Sequence, residues 1–175
     1  TKRTESNRLV YFFKTEVPLI LFDYRRYLIY AFVLFFATVF IGVVSARYDA
    51  DFVRLILGDS YVNETLENIK AGNPVAIYKS GSNWGSFIGI TFNNLKVGMM
   101  CYIFGIFGGI GTFLISLQNA IMLGSFQYFF LQQGVFWKSV RGIWIHGSME
   151  IFGIVIETAA GYILGASILF PKTYS

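Results

Sequence analysis

Three stretches of the chain are apolar and almost free of charge. Tyr27 to Ala46 is an uncharged run of about 20 residues, the length that crosses a hydrocarbon core as a helix. Val97 to Trp137 is uncharged for about 41 residues, roughly twice one crossing at 1.5 Å per residue. Ile151 to Pro171 holds one charge, Glu157. A water-soluble core needs no such segments, so the pattern predicts an all-α polytopic integral membrane helical bundle. Within the long run, Gln118-Asn119 is the polar interruption. It leaves Ala120 to Gln132 as a segment of about 13 residues, near 20 Å as a helix. Such a segment either crosses at a thinned site or is re-entrant. Taken as a crossing, it brings the count to about four membrane-inserted helices.

The remaining segments read differently. Leu9 to Phe22 is apolar but broken by Lys14, Glu16 and Pro18, which suits an interfacial or packed cytoplasmic helix. Asp51 to Lys70 predicts one or two short helices, with Val62, Leu66 and Ile69 at i, i+4 and i+7. Ala71 to Pro74 and Ser80 to Asn83 are breaks. Trp84 to Phe92 is apolar but short and ends at Asn93-Asn94. Val135 to Ile145 carries Trp137, Lys138, Arg141 and Trp144, the pattern of a helix lying at lipid headgroups.

Composition agrees with the membrane reading. Hydrophobic residues make up 55% of the 175 and charged residues only 14%, against about 25% charged in soluble domains. One cysteine, Cys101, excludes an intrachain disulfide framework. The net charge of +4 is spread along the chain, so no nucleic-acid partner is implied. Orientation follows from the bases Lys2, Arg3, Arg8, Lys14, Arg25 and Arg26, which precede the first span and put the N-terminus in the cytoplasm. Residues 47–79, with five acids against four bases, fall on the opposite side. The organisation expected is a cytoplasmic or interfacial segment over 1–26, a first transmembrane helix over 27–46, an extracytoplasmic helical insert over 47–82, and a glycine-rich membrane core over 83–175. The start at Thr1 points to a fragment of a longer chain.

Glycines mark where helices approach. Gly105 with Gly109, and Gly161 with Gly165, form small-xxx-small pairs. The Gly108 to Thr112 cluster is a place for a helix to kink or break.

The candidate chemistry gathers on the last helix. After Glu67 the only acids are Glu150 and Glu157, and the only histidine, His146, lies beside them. At 100° per residue, Glu150 falls about 40° and Glu157 about 20° from His146, with Gly153 and Gly161 on the same stripe. A carboxylate inside a span is costly and by default faces protein. Three roles are open to the stripe. It is a structural lock that pairs with Asn93, Asn94, Asn119 or Thr112; a proton or ion pathway through Glu157; or a metal site begun by His146 and Glu150. The last falls short of the three protein ligands a catalytic zinc needs unless Glu157 joins. Asn93, Asn94 and Asn119 also read as helix caps. No HExxH, GxSxG, CxxC or phosphate-binding glycine loop occurs, so no catalytic residue, cofactor or metal is assigned.

The succession Asn93-Asn94, Gly105-Ile106, Gly108 to Thr112, Asn119, His146-Gly147 with Glu150, Ala160-Gly161 and Pro171 resembles the stage II sporulation protein M family of bacterial membrane proteins. The resemblance spans about residues 9–175, and the HGxxE motif His146-Gly147-xx-Glu150 is its most specific part. Phe52 to Lys70 resembles the branch found in Bacteroidetes. Ala120 departs from the family, which usually has glycine after the asparagine. Members typically continue with a basic stretch and further spans, so the end at Ser175 fits a truncation or an ordered core.

The resemblance implies a location in the bacterial inner membrane and, in spore formers, a subunit that gathers cell-wall hydrolases. Relatives elsewhere are often encoded near RDD-type membrane proteins and MoxR-type ATPases, which are the implied partners beside the bilayer and other membrane or periplasmic proteins. The function expected is a non-enzymatic scaffold or assembly subunit. A small transporter or channel using Glu157 is the alternative, and an intramembrane metal-dependent hydrolase ranks third. An oligomer is compatible with all three.

Overall fold

The structure is a computed structural model. It describes residues 5–49, 51–74, 76 and 83–171; for 5–7, 83–87, 90 and 142–146 it describes the backbone alone. Every element among the described residues is helical. α1 (Glu5–Tyr11), a π-helical turn (Phe12–Glu16) and α2 (Val17–Asp23) lead through Tyr24 into α3 (Arg25–Tyr48). Two short helices follow, α4 (Phe52–Leu57) and α5 (Asp59–Lys70), then α6 (Asn83–Ile103), a 3-10 turn (Phe104–Ile106), α7 (Ile110–Gln132) and α8 (Phe136–Leu169). The expected helix over Leu9 to Phe22 is present. The Ser80 to Ser82 break lies outside the described residues.

Among the described residues, three helices are long and apolar enough to cross a membrane: α3, α7 and the Gly147–Leu169 part of α8. α6 is a fourth long helix beside them. α3 and α7 run in one direction, α6 and α8 in the other. Large apolar side chains dominate the outer surface, as suits a bundle surrounded by hydrocarbon. Small residues hold the inside. α3 buries Ala31, Phe35, Thr38, Gly42 and Ala46 along one stripe, and α7 buries Thr112, Ser116, Ala120 and Gly124 at every fourth position.

The α3–α7 crossing is backbone against backbone. A Cβ on Gly42 would lie 2.6 Å from the carbonyl oxygen of Ile121, and one on Gly124 would strike the carbonyl of Val39. No side chain can be accommodated there without moving a helix. Two hydroxyls in these helices bond back to their own backbone, Thr38 to the Leu34 carbonyl at 2.8 Å and Ser125 to the Ile121 carbonyl at 2.9 Å. Hydrocarbon offers them no other partner.

α4 and α5 close one end of the bundle. Val53 and Val62 join Ala46, Phe129 and Phe130 in one apolar cluster, with Leu66 and Phe126 packed on it. Gly58 turns the chain between them at φ +86°, a conformation glycine adopts without penalty. Arg54 donates to Asp59 and to Asn63, both at 2.9 Å, and ties the two helices together.

The long apolar run divides elsewhere than expected. α7 passes through Gln118-Asn119 without interruption, because the Asn119 amide donates to the Ile115 carbonyl at 2.8 Å on its own helix. The break falls instead at Phe104 to Gly109, where Gly108 (φ +64°) and Gly109 (φ +84°) reverse the chain. Ala120 to Gln132 is therefore the second half of a 23-residue helix, neither a short crossing nor re-entrant. Asn93-Asn94 likewise lies inside α6 and ends nothing. Val135 to Ile145 is not a separate surface helix either. It is continuous with the last span in one 34-residue helix, because no glycine pair or proline interrupts it.

Candidate functional site

The stripe predicted on the last helix falls on α8, and α6 lies along part of it. Its lower half is closed. Gly161 meets the carbonyl of Cys101 and the hydroxyl of Thr112, and Gly105 meets the backbone of Gly161. Gly165 sits against the backbone of Gly105, Gly108 and Gly109. Thr112 donates to the Cys101 carbonyl at 2.6 Å, so a residue of α7 satisfies a carbonyl near the end of α6 that the helix itself leaves free. Five glycines and one threonine form a single node at the chain reversal. Gly161 and Gly165 act there as the small-xxx-small pair their spacing predicts. Gly105 and Gly109 do not: Gly105 belongs to the 3-10 turn, and Gly109 is the left-handed residue that starts α7.

The upper half of the same stripe is open. A Cβ built on Gly153 or on Gly147 would find no atom within 4 Å. Glu150 is only partly buried on this side. Glu157 marks the transition. It lies ten residues into the 23-residue apolar part of α8, near its middle, and its carboxylate rests over Gly98 of α6. A side chain at position 98 would occupy the carboxylate's place, so the glycine makes its room. Glu157 remains partly exposed, and among the described residues it has no hydrogen bond or ion pair.

The expected pairing of the stripe with asparagines is not found among the described residues. Asn93 is exposed, Asn94 is partly buried on α6, and Asn119 is occupied on its own helix. Thr112, a further expected partner, is committed to the Cys101 carbonyl. His146 is on α8 one turn before Glu150, and its side chain lies outside the described residues, as does that of Trp144. An open recess of about 390 Å³ borders the node, lined by apolar groups that include Ile110, Phe113 and Leu169. Tyr162 is the one polar side chain in its lining.

Two residues went unrecognised in the sequence. Gly98 passed as one more small residue, and nothing short of its contact with Glu157 distinguishes it. Lys96 marked only the edge of an uncharged run, although its position two residues before Gly98 puts a cation near the level of Glu157.

Comparison with curated proteins and with solved structures finds no significant match. The sequence model of the stage II sporulation protein M family matches residues 31–175, from the first membrane-length helix to the end of the chain. The helical bundle and its node lie within that match, α1 and α2 before it, and the chain belongs to the stage II sporulation protein M family.

Proposed function

We propose that this chain is a non-catalytic assembly subunit of the bacterial inner membrane, with its N-terminus in the cytoplasm and four crossings provided by α3, α6, α7 and α8. The observation that carries the reading is the contrast along α8. Where the stripe is closed, backbone meets backbone and no route for a solute remains. Where it is open, glycines and a carboxylate are presented without a partner among the described residues. A surface of that kind suits docking by another membrane helix, since small residues permit close approach and a polar group in lipid gains most from a protein partner.

The start of α3, the Phe104–Gly109 turn and the end of α8 share one end of the bundle, and the bases before α3 assign that end to the cytoplasm. α4 and α5 then form an extracytoplasmic cap with an exposed polar face, a second surface for partners. RDD-type membrane proteins and a MoxR-type ATPase system are the candidates the family resemblance supplies. The test is affinity purification of the full-length protein from its native host in mild detergent, with proteins identified by mass spectrometry and metals by elemental analysis. A reproducible stoichiometric partner without bound metal supports the assembly role. A chain that purifies alone with one metal per copy contradicts it.

Glu157 favours a second reading, a small transporter or channel. A carboxylate at mid-span, seated on a glycine, is a feature transport proteins use. Flux in liposomes that is lost in Glu157→Gln while the protein stays folded would establish that reading over the first.

A further inference from the structure

Lys96 and Glu157 together form an unresolved charge problem. Glu157 lies at the middle of the α8 span and touches α6 at Gly98. Lys96 precedes Gly98 by two residues, about 3 Å along the helix axis. It is exposed on the outer side of α6 and, among the described residues, the only ion pair is Arg54 with Asp59. One cation and one anion therefore stand at nearly the same depth of the bundle, neither with a counterion among the described residues. Such groups in hydrocarbon are costly and pair wherever protein allows. They cannot meet within one copy at this register, since Lys96 projects about 160° around α6 from Gly98, over which Glu157 sits.

The surface between them has a definite pattern. Ile88, Phe92, Leu95, Met99 and Tyr102 are all exposed, with Phe92 at 68% and Met99 at 55%. Their spacings of four, three, four and three are those of a heptad seam. Taking Leu95 as d and Met99 as a, Lys96 occupies e and Gly98 occupies g. These are the positions that flank the seam of a parallel pair on opposite sides. A two-fold axis along the membrane normal keeps each residue at its own depth and brings the e flank of one helix to the g flank of the other.

We propose that two copies of this chain pack in parallel through the Ile88–Tyr102 face of α6, with Lys96 of each copy pairing with Glu157 of the other. The occupant is a second copy because the patch is self-complementary: it carries one charge of each sign, at matching depth, on opposite sides of an apolar seam. Two reciprocal ion pairs then neutralise all four charges. Gly98 acquires a reason, since it lets Glu157 come forward from α8 to the g flank. The inference shares Glu157 with the assembly reading, and the two are told apart by experiment, since a dimer and a complex with other proteins are detected differently.

The test is disulfide trapping in liposomes at a low protein-to-lipid ratio, with Cys101→Ala as background. The Cys101 side chain is buried, and it is the backbone carbonyl that Thr112 uses, so the background keeps the node. Met99→Cys, on the seam, is expected to give covalent dimers under mild oxidation. Phe40→Cys, exposed on α3, is expected to give none above background. Lys96→Glu sits on the outer face and leaves the fold intact; with Met99→Cys it should lower the dimer yield at least about tenfold, because it sets two carboxylates together where opposite charges paired. Exchanging both charges, Lys96→Glu with Glu157→Lys, should restore it. Trapping at Met99→Cys no greater than at Phe40→Cys overturns the dimer. Trapping that is indifferent to Lys96→Glu, or a folded double exchange that stays monomeric, overturns the ion pairing.

Discussion

The α3–α7 crossing and the α6–α8 seam are built from the same residue types and end differently. In the first, Gly42 and Gly124 face backbone from both sides, and the buried stripe of α3 runs from Ala31 to Ala46. In the second, contact is equally close at Gly161 and Gly165 but gives way above Glu157, where Gly153 and Gly147 face open space. A small residue in a membrane helix therefore does not by itself mark a packed contact. It marks a place where close approach is possible, and the neighbouring helix determines whether this chain uses it. The α3–α7 crossing is structural. The upper α6–α8 seam is left available.

The comparison can be broken at graded positions. Gly124→Leu carries the largest expected effect: a branched side chain would have to displace the backbone of α3, at a cost of about 3 kcal/mol or more, and folded protein should be lost. Thermal unfolding followed by circular dichroism in detergent would register it. Gly161→Ala is next. Its added methyl would strike the Thr112 hydroxyl and the Cys101 carbonyl together, and a loss of about 2 kcal/mol is expected in the same assay. Thr112→Val keeps the shape but removes the hydrogen bond to the Cys101 carbonyl, for about 1 kcal/mol. Gly153→Ala should cost nothing and gain up to about 1 kcal/mol from helix propensity, since nothing lies within 4 Å of the new methyl. If the assembly reading holds, that same gain in stability should accompany weaker recovery of the partner protein in purification from the host.

Much of the bundle was legible in the sequence because lipid imposes simple rules. Charge-free length gave α3 and the last span, and the i, i+4, i+7 spacing of Val62, Leu66 and Ile69 gave α5. The glycine cluster at 108–112 includes Gly108 and Gly109, the two left-handed residues of the chain reversal. The asparagines misled because their usual meaning comes from water. At a solvent-exposed helix end an asparagine caps; inside an apolar helix, Asn119 turns its amide to the carbonyl four residues back and the helix continues. Missing this moved the chain reversal from Phe104–Gly109 to Gln118-Asn119 and shortened α7 by half. Periodicity alone put His146, Glu150 and Glu157 on one stripe of the last helix. Its division into a closed and an open half was not, because that depends on where α6 ends and turns, and on Gly98, whose role is set by a side chain 59 positions later.

The most direct test of the account is a paired measurement on one helix: the unfolding free energy in lipid of Gly161→Ala and Gly153→Ala, each against the parent chain. Both replace glycine by alanine on the same stripe of α8, eight residues apart. A clear loss is expected at Gly161 and none at Gly153. Equal losses at the two positions would show that the upper seam is packed within a single copy, and would contradict the account.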